Sequence, residues 1–146
     1  MAATVKEIEI KAPPEKVFSY VADLPKHGEW GSHKVQVTPI SSGPMAVGAT
    51  FEGVGHQMGA HHDKLTVTEY SPSTRLTFES SGDAGTVRHV FEVTPSNGGA
   101  KLSKSMEVIK PSLMTRLMTP MIAFLGPNML AKDLERIKER VESSQS

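Results

Sequence analysis

The feature that most constrains this chain is a series of turn signals through its middle: SSGP at 41–44, HHD at 61–63, SPST at 71–74, SGDAG at 81–85 and PSNGG at 95–99. They divide the sequence into six strand-like segments, approximately 33–41, 49–60, 64–70, 75–80, 85–94 and 100–109. Links this short can join neighbouring antiparallel strands, whereas a parallel crossover needs a dozen residues or more. An antiparallel sheet is therefore expected. Upstream, Ile8 and Ile10 set the apolar parity of a further alternating segment that ends at Pro13 and Pro14, giving seven strands in all.

The flanks read as helices. PPEKVFSYVAD offers proline for a first turn, Glu15 near the positive helix end, and Val17, Phe18 and Val21 at helical spacing. LPKHGEWG breaks that helix at Pro25 and Gly28 and leaves room for one more helical turn. From Pro111 onward, Leu113, Leu117, Met121, Phe124, Leu125, Leu130, Leu134, Ile137 and Val141 recur at helical spacing, with an interruption and a kink expected at Gly126 and Pro127. A long helix closes the chain, and 146 residues make one domain, 1–146.

Composition narrows the function. Sixteen basic residues balance sixteen acidic ones, and no basic block forms the stripe that a phosphate backbone needs, so nucleic acid is not an expected partner. The absence of cysteine removes disulfides, thiol nucleophiles, iron–sulfur clusters and thiolate zinc sites. The first residues carry charges where a secretory leader needs an apolar run, so a cytoplasmic location is expected. The most apolar stretch, Leu113 to Gly126, contains Arg116 and Pro120 and is too short to span a bilayer, so no integral membrane segment is expected.

The order of one strand, two short helices, six strands and a long helix resembles the helix-grip fold. IEIKAPPEKVFSYVADLPKHGEW is similar to the opening of the START-like (SRPBCC) superfamily of polyketide cyclases/dehydrases and lipid-transport proteins, which includes relatives of the birch-pollen allergen. VGATFEG, VTEYSPSTRLTFES and TPSNGGAKLSKSMEV resemble its middle and end. The resemblance implies an α+β fold: a seven-stranded curved antiparallel sheet wrapped around the long C-terminal helix, with an apolar cavity between them. It also implies a lipid-like, hormone-like or polyketide-like ligand, cyclised or dehydrated by some members.

Several residues are candidates for that cavity. With Phe51 inward, alternation puts Gly53, Gly55, Gln57, Gly59 and His61 on the same face, where glycines either leave ligand volume or relieve strand curvature. The Gly53, Gly55 and Gly59 spacing lacks the following helix that a dinucleotide loop requires. His89 shares parity with Val87, Phe91 and Val93. It is either a cavity imidazole able to bond a ligand or act as acid/base, or a core histidine bonded to protein. Lys104 shares the parity of Leu102, Met106 and Val108, but exposure is favoured because strand ends twist such lysines outward.

His56, His61, His62 and Asp63 have metal-ligand types, but alternation splits them between faces. Neither a metal nor any other cofactor is expected. Met114, Met118, Met121 and Met129 in the final helix suit an irregular apolar guest or ordinary packing. Trp30 falls where the resemblance implies a cavity entrance, or packs as a cap.

The expected ligand-binding set is Trp30, Phe51, Gln57, Phe78, His89, Phe91, Met106, Met118, Met121 and Phe124, with His89 the candidate catalytic residue. Binding of a small hydrophobic molecule is the leading expectation. The alternatives are an aromatic polyketide cyclase or dehydratase using His89, and a protein-interaction module with a filled core and an exposed apolar patch. Monomer and homodimer both remain open.

Overall fold

The computed structural model of the chain describes residues 4–30, 36–55, 61–82, 85–111, 113–117 and 119–144, with backbone alone at 61, 111, 114, 115 and 119–126. Strand β1 (Thr4–Ile10) leads into helix α1 (Pro14–Ala22) and a 3-10 helix at Leu24–Glu29. Strands β2 (Gln36–Pro39), β3 (Thr50–Gly55), β4 (His61–Ser71), β5 (Arg75–Gly82), β6 (Gly85–Ser96) and β7 (Gly99–Pro111) follow, then helices α2 (Leu113–Leu117) and α3 (Thr119–Ser143).

All seven strands form one antiparallel sheet in the order β1-β7-β6-β5-β4-β3-β2. β1 reaches the far edge beside β7 because Thr4–Ile10 pairs residue for residue with Ala100–Met106. The pairing slips between Val67 and Glu69 in β4, and between Thr86 and Val87 in β6. Such bulges add local twist and bend, and they help a long sheet curve. The result is the helix-grip architecture: a curved open sheet with a long C-terminal helix.

Local chemistry explains the turns. Between β6 and β7, Asn97 and Gly98 both take positive φ, 47° and 79°, the pair of left-handed residues that a two-residue hairpin demands. Ser96 opposes Gly99 across this turn. In α1, Pro14 opens the helix and Val17, Phe18 and Val21 are buried, as their spacing predicts.

Three expected boundaries move. HHD is not a turn: His61, His62 and Asp63 pair with Gly55, Val54 and Gly53, because the ladder continues to the end of β3. The turn signal at 81–85 also shrinks, since Gly82 pairs directly with Gly85. In the C-terminal region, helical backbone continues through Gly126 and Pro127 instead of being interrupted there. Proline removes one donor but leaves the helical path on either side available when packing holds it.

The described part of α3 packs by Leu130, Leu134, Ile137 and Val141, a stripe at three- and four-residue spacing. Polar contacts fix its end over β1 and α1. The backbone N–H of Lys11 donates to Glu142 Oε2 at 2.8 Å, Lys138 Nζ donates to the Glu9 carbonyl at 3.1 Å, and Lys16 Nζ donates to the Ser144 carbonyl at 3.1 Å. No helix among the described residues is long and apolar enough to cross a membrane.

Candidate functional site

The concave side of the central strands carries a cluster of rings. Phe78 of β5 and His89 of β6 oppose each other in register, and their rings stack with centroids 4.6 Å apart and planes 11° apart. Phe91, two residues beyond His89, keeps the same face and stands 6.4 Å from Phe78. From the other side, the 3-10 helix delivers His27 and Trp30, three residues apart. Their rings stack at 4.1 Å, Trp30 meets Phe91 edge-on at 5.8 Å, and His27 meets Phe78 edge-on at 6.4 Å.

Lys104 joins this cluster, contrary to the expected exposure. It lies in the middle of β7, opposite Phe91 on one side and Lys6 on the other, so no strand end is available to turn it outward. It is 2% exposed, and its ammonium sits 4.7 Å from the Trp30 centroid and 5.0 Å from the Phe91 centroid. Burial pulls its pKa down to about 8, opposed by the charge of the buried Asp133 on α3. Asp133 in turn accepts a hydrogen bond from Arg136 Nη1 at 3.2 Å.

Both imidazoles are held neutral. Burial, reinforced by the Lys104 charge, lowers His27 to about 3 and takes His89 well below its usual value, with His27 adding to the effect at His89. His89 Nε2 and Ser80 Oγ are hydrogen-bonded at 3.1 Å, either atom serving as donor according to the tautomer. His89 Nδ1, His27 Nδ1 and Trp30 Nε1 are buried with no hydrogen-bond partner among the described residues. Unmade bonds of this kind cost about 1 to 3 kcal/mol each.

The expected residues thus divide. Trp30, Phe78, His89 and Phe91 come together, and half-buried Met106 pairs in register with His89. Trp30 lies at 1% exposure within the core, not at an open mouth. Phe51 is buried but lines a separate cleft of about 410 Å³ with Phe18, Met45 and Tyr70, a cleft that includes neither histidine nor Lys104. Gln57 and Met118 lie outside the described residues, as do His56 and Gly59, and the side chains of His61, Met114, Met121 and Phe124 are likewise outside them.

Sequence reasoning passes over His27. Its signal is the spacing H-x-x-W in one turn of 3-10 helix, where residues three apart eclipse each other. Among the described residues there is no group of three or more potential metal ligands.

Comparison with solved structures agrees with this architecture. TTHA0849 from Thermus thermophilus superposes with a TM-score of 0.79 at 19% identity, covering 99% of this chain and 100% of that one. The Zhui aromatase/cyclase from a Streptomyces species superposes with a TM-score of 0.81 at 10% identity, covering 99% and 96%. DR_A0006 from Deinococcus radiodurans gives 0.72 at 15% identity, covering 99% of each chain. At these identities the likeness is one of fold. No curated protein matches the sequence. The family model for polyketide cyclase/dehydrase and lipid transport matches residues 1–142, nearly the whole sequence on which this sheet, helix and ring cluster are built. The chain belongs to the polyketide cyclase/dehydrase and lipid-transport family.

Proposed function

We propose that the protein binds a small, largely apolar molecule with one or two polar groups in its core, between the sheet and α3. Trp30, Phe78 and Phe91 supply the apolar walls, with Met106 beside them. His89, His27 and Trp30 anchor the polar end. The observation that carries this reading is the trio of buried, unpartnered ring nitrogens within one aromatic cluster among the described residues. A purely structural core would fill such positions with apolar groups or satisfy them internally. Family membership supports a ligand-binding or cyclase role of this kind.

Aromatic cyclisation or dehydration with His89 as acid/base is the second reading, favoured by the likeness of fold to an aromatase/cyclase. Its difficulty is electrostatic. A general base works best with a pKa near the working pH, and burial takes His89 well below that range. Binding with hydrogen-bond anchoring needs no such match.

Trp30 is the sole tryptophan, so its fluorescence reports on this cluster alone. The test is titration with 2-naphthol, an aromatic ring bearing one hydroxyl, followed by Trp30 emission and calorimetry. Native mass spectrometry of freshly purified protein accompanies it. Saturable one-to-one binding with a change in Trp30 emission, or a co-purified apolar compound, is the expected result. Neither appearing would overturn the reading.

A further inference from the structure

The binding reading leaves one group in the cluster without a task. Lys104 is nucleophilic when neutral, and nothing in hydrogen-bond anchoring by His27, His89 and Trp30 requires an amine there. Its placement is unusual: mid-strand in β7, fully enclosed, its nitrogen held near the faces of Trp30 and Phe91, with Asp133 as its nearby countercharge. The other lysines whose side chains are described are half-buried or exposed.

We propose that Lys104 forms a Schiff base with the aldehyde or ketone of an aromatic ligand held in this core, an inference that rests on the binding reading above. Geometry supplies the first requirement. A flat ligand stacked among Trp30, Phe78 and Phe91 would lie in the same ring cluster over which the Lys104 nitrogen is poised, and bound reactants replace a bimolecular encounter with an oriented one. Chemistry supplies the second. With a pKa of about 8, roughly a tenth of Lys104 is neutral at pH 7, whereas an ordinary lysine at about 10.4 is neutral in fewer than one molecule in a thousand.

The step balances without another reactant. The lone pair of neutral Nζ attacks the carbonyl carbon, a C–N bond forms, and the π pair moves to oxygen. A proton passes from nitrogen to that oxygen, giving a carbinolamine. The C–O bond then breaks, the oxygen leaves as water with one further proton, and the nitrogen pair closes the C=N bond. The carbinolamine's remaining N–H supplies that further proton, so the step is complete within Lys104 and its ligand.

The probe is 2-naphthaldehyde with cyanoborohydride, which reduces an imine to a stable secondary amine. The label is located by peptide mass spectrometry at pH 7, with 2-naphthol binding measured on the same preparation. The expected result is labelling of Lys104 at least tenfold faster than any other lysine, slowed by excess 2-naphthol. Lys104→Arg, which keeps the charge but cannot form an imine, loses the label while its circular dichroism stays native. Lys101→Arg, on the opposite face of β7, leaves the label unchanged. Binding of 2-naphthol with labelling spread over surface lysines overturns the Schiff-base inference and leaves the binding reading standing. Failure of both probes to bind overturns the two together.

Discussion

The Lys104 ammonium lies 4.7 Å from the centre of the Trp30 ring, placing a cation from the middle of β7 against the one tryptophan, contributed by the turn after α1. The ring face compensates part of the lost hydration, and the charge of Asp133 also opposes the shift. The balance remains unfavourable to the charged form, because burial is the dominant influence and lowers the pKa to about 8. At neutral pH the folded chain therefore carries a charge that destabilises it.

Lys104→Met should accordingly change how stability depends on alkaline pH. The folded pKa is below the unfolded one, so between about 8 and 10.5 the unfolded chain retains a proton that the folded chain has released. Raising pH through that window stabilises the wild type by up to about 1.4 kcal/mol per unit, and methionine removes this gain. Urea unfolding at pH 7.5 and pH 10 checks it. The variant should compare most favourably with wild type at pH 7.5, where the buried charge is still present, and an advantage that grows toward pH 10 would contradict the assignment.

His27 governs the acid side. Its pKa falls from 6.5 unfolded to about 3 folded, so below pH 6.5 the unfolded chain binds a proton the folded chain refuses, and stability drops as pH falls. His89 acts in the same direction. Hydrogen-bonded Glu9, Glu69 and Glu142 also lose stabilisation in acid, but only as pH falls through and below their ordinary 4.5. His27→Phe, which keeps a ring against Trp30, should flatten the stability profile between pH 6.5 and 5 by up to about 1.4 kcal/mol per unit. Chemical denaturation across that interval decides it, and an unchanged slope would mean that His27 titrates normally.

The β6–β7 hairpin offers a test free of packing. A Cβ at Gly98 would meet nothing within 4 Å, yet φ there is +79°. Gly98→Ala should destabilise by about 1 kcal/mol through backbone strain alone, without altering ligand binding. A thermal melt equal to wild type would show that the turn can change its type.

How far the sequence speaks differs from residue to residue. Alternation alone puts His89, Phe91 and Phe78 on the buried face, because each lies on a central strand covered by the fold. The same alternation points Lys104 inward, but the general preference of lysine for solvent argues the other way. The ring cage that makes burial tolerable is assembled from β6 and the 3-10 helix, distant in sequence. His27 escapes notice for the same reason: its partners Trp30 and Phe78 become a cluster only once the chain folds. At 61–63 the polar composition of HHD suggests a turn, whereas cross-strand pairing with Gly53, Val54 and Gly55 keeps those residues in a ladder. Pro127 predicts a break by its missing donor, yet helical backbone continues through it.

The last prediction separates anchoring from acid/base chemistry at His89. Its Nε2 is engaged with Ser80 Oγ at 3.1 Å, its ring is stacked on Phe78, and only Nδ1 is left to meet a ligand. If Nδ1 merely bonds the ligand, His89→Gln should keep much of the 2-naphthol affinity, while His89→Phe loses a hydrogen bond worth about 0.5 to 1.5 kcal/mol, up to roughly tenfold in Kd. If His89 instead transfers protons, both substitutions should lower turnover of an identified polyketide-like substrate by about 100-fold or more, even where binding survives. Burial argues for the first outcome, since an imidazole held well below its usual pKa is a poor base at neutral pH. Calorimetry on the two variants, with circular dichroism to confirm folding, measures the difference. Equal affinity in wild type, His89→Gln and His89→Phe would reduce His89 to a packing residue and move the anchor to His27 or Trp30.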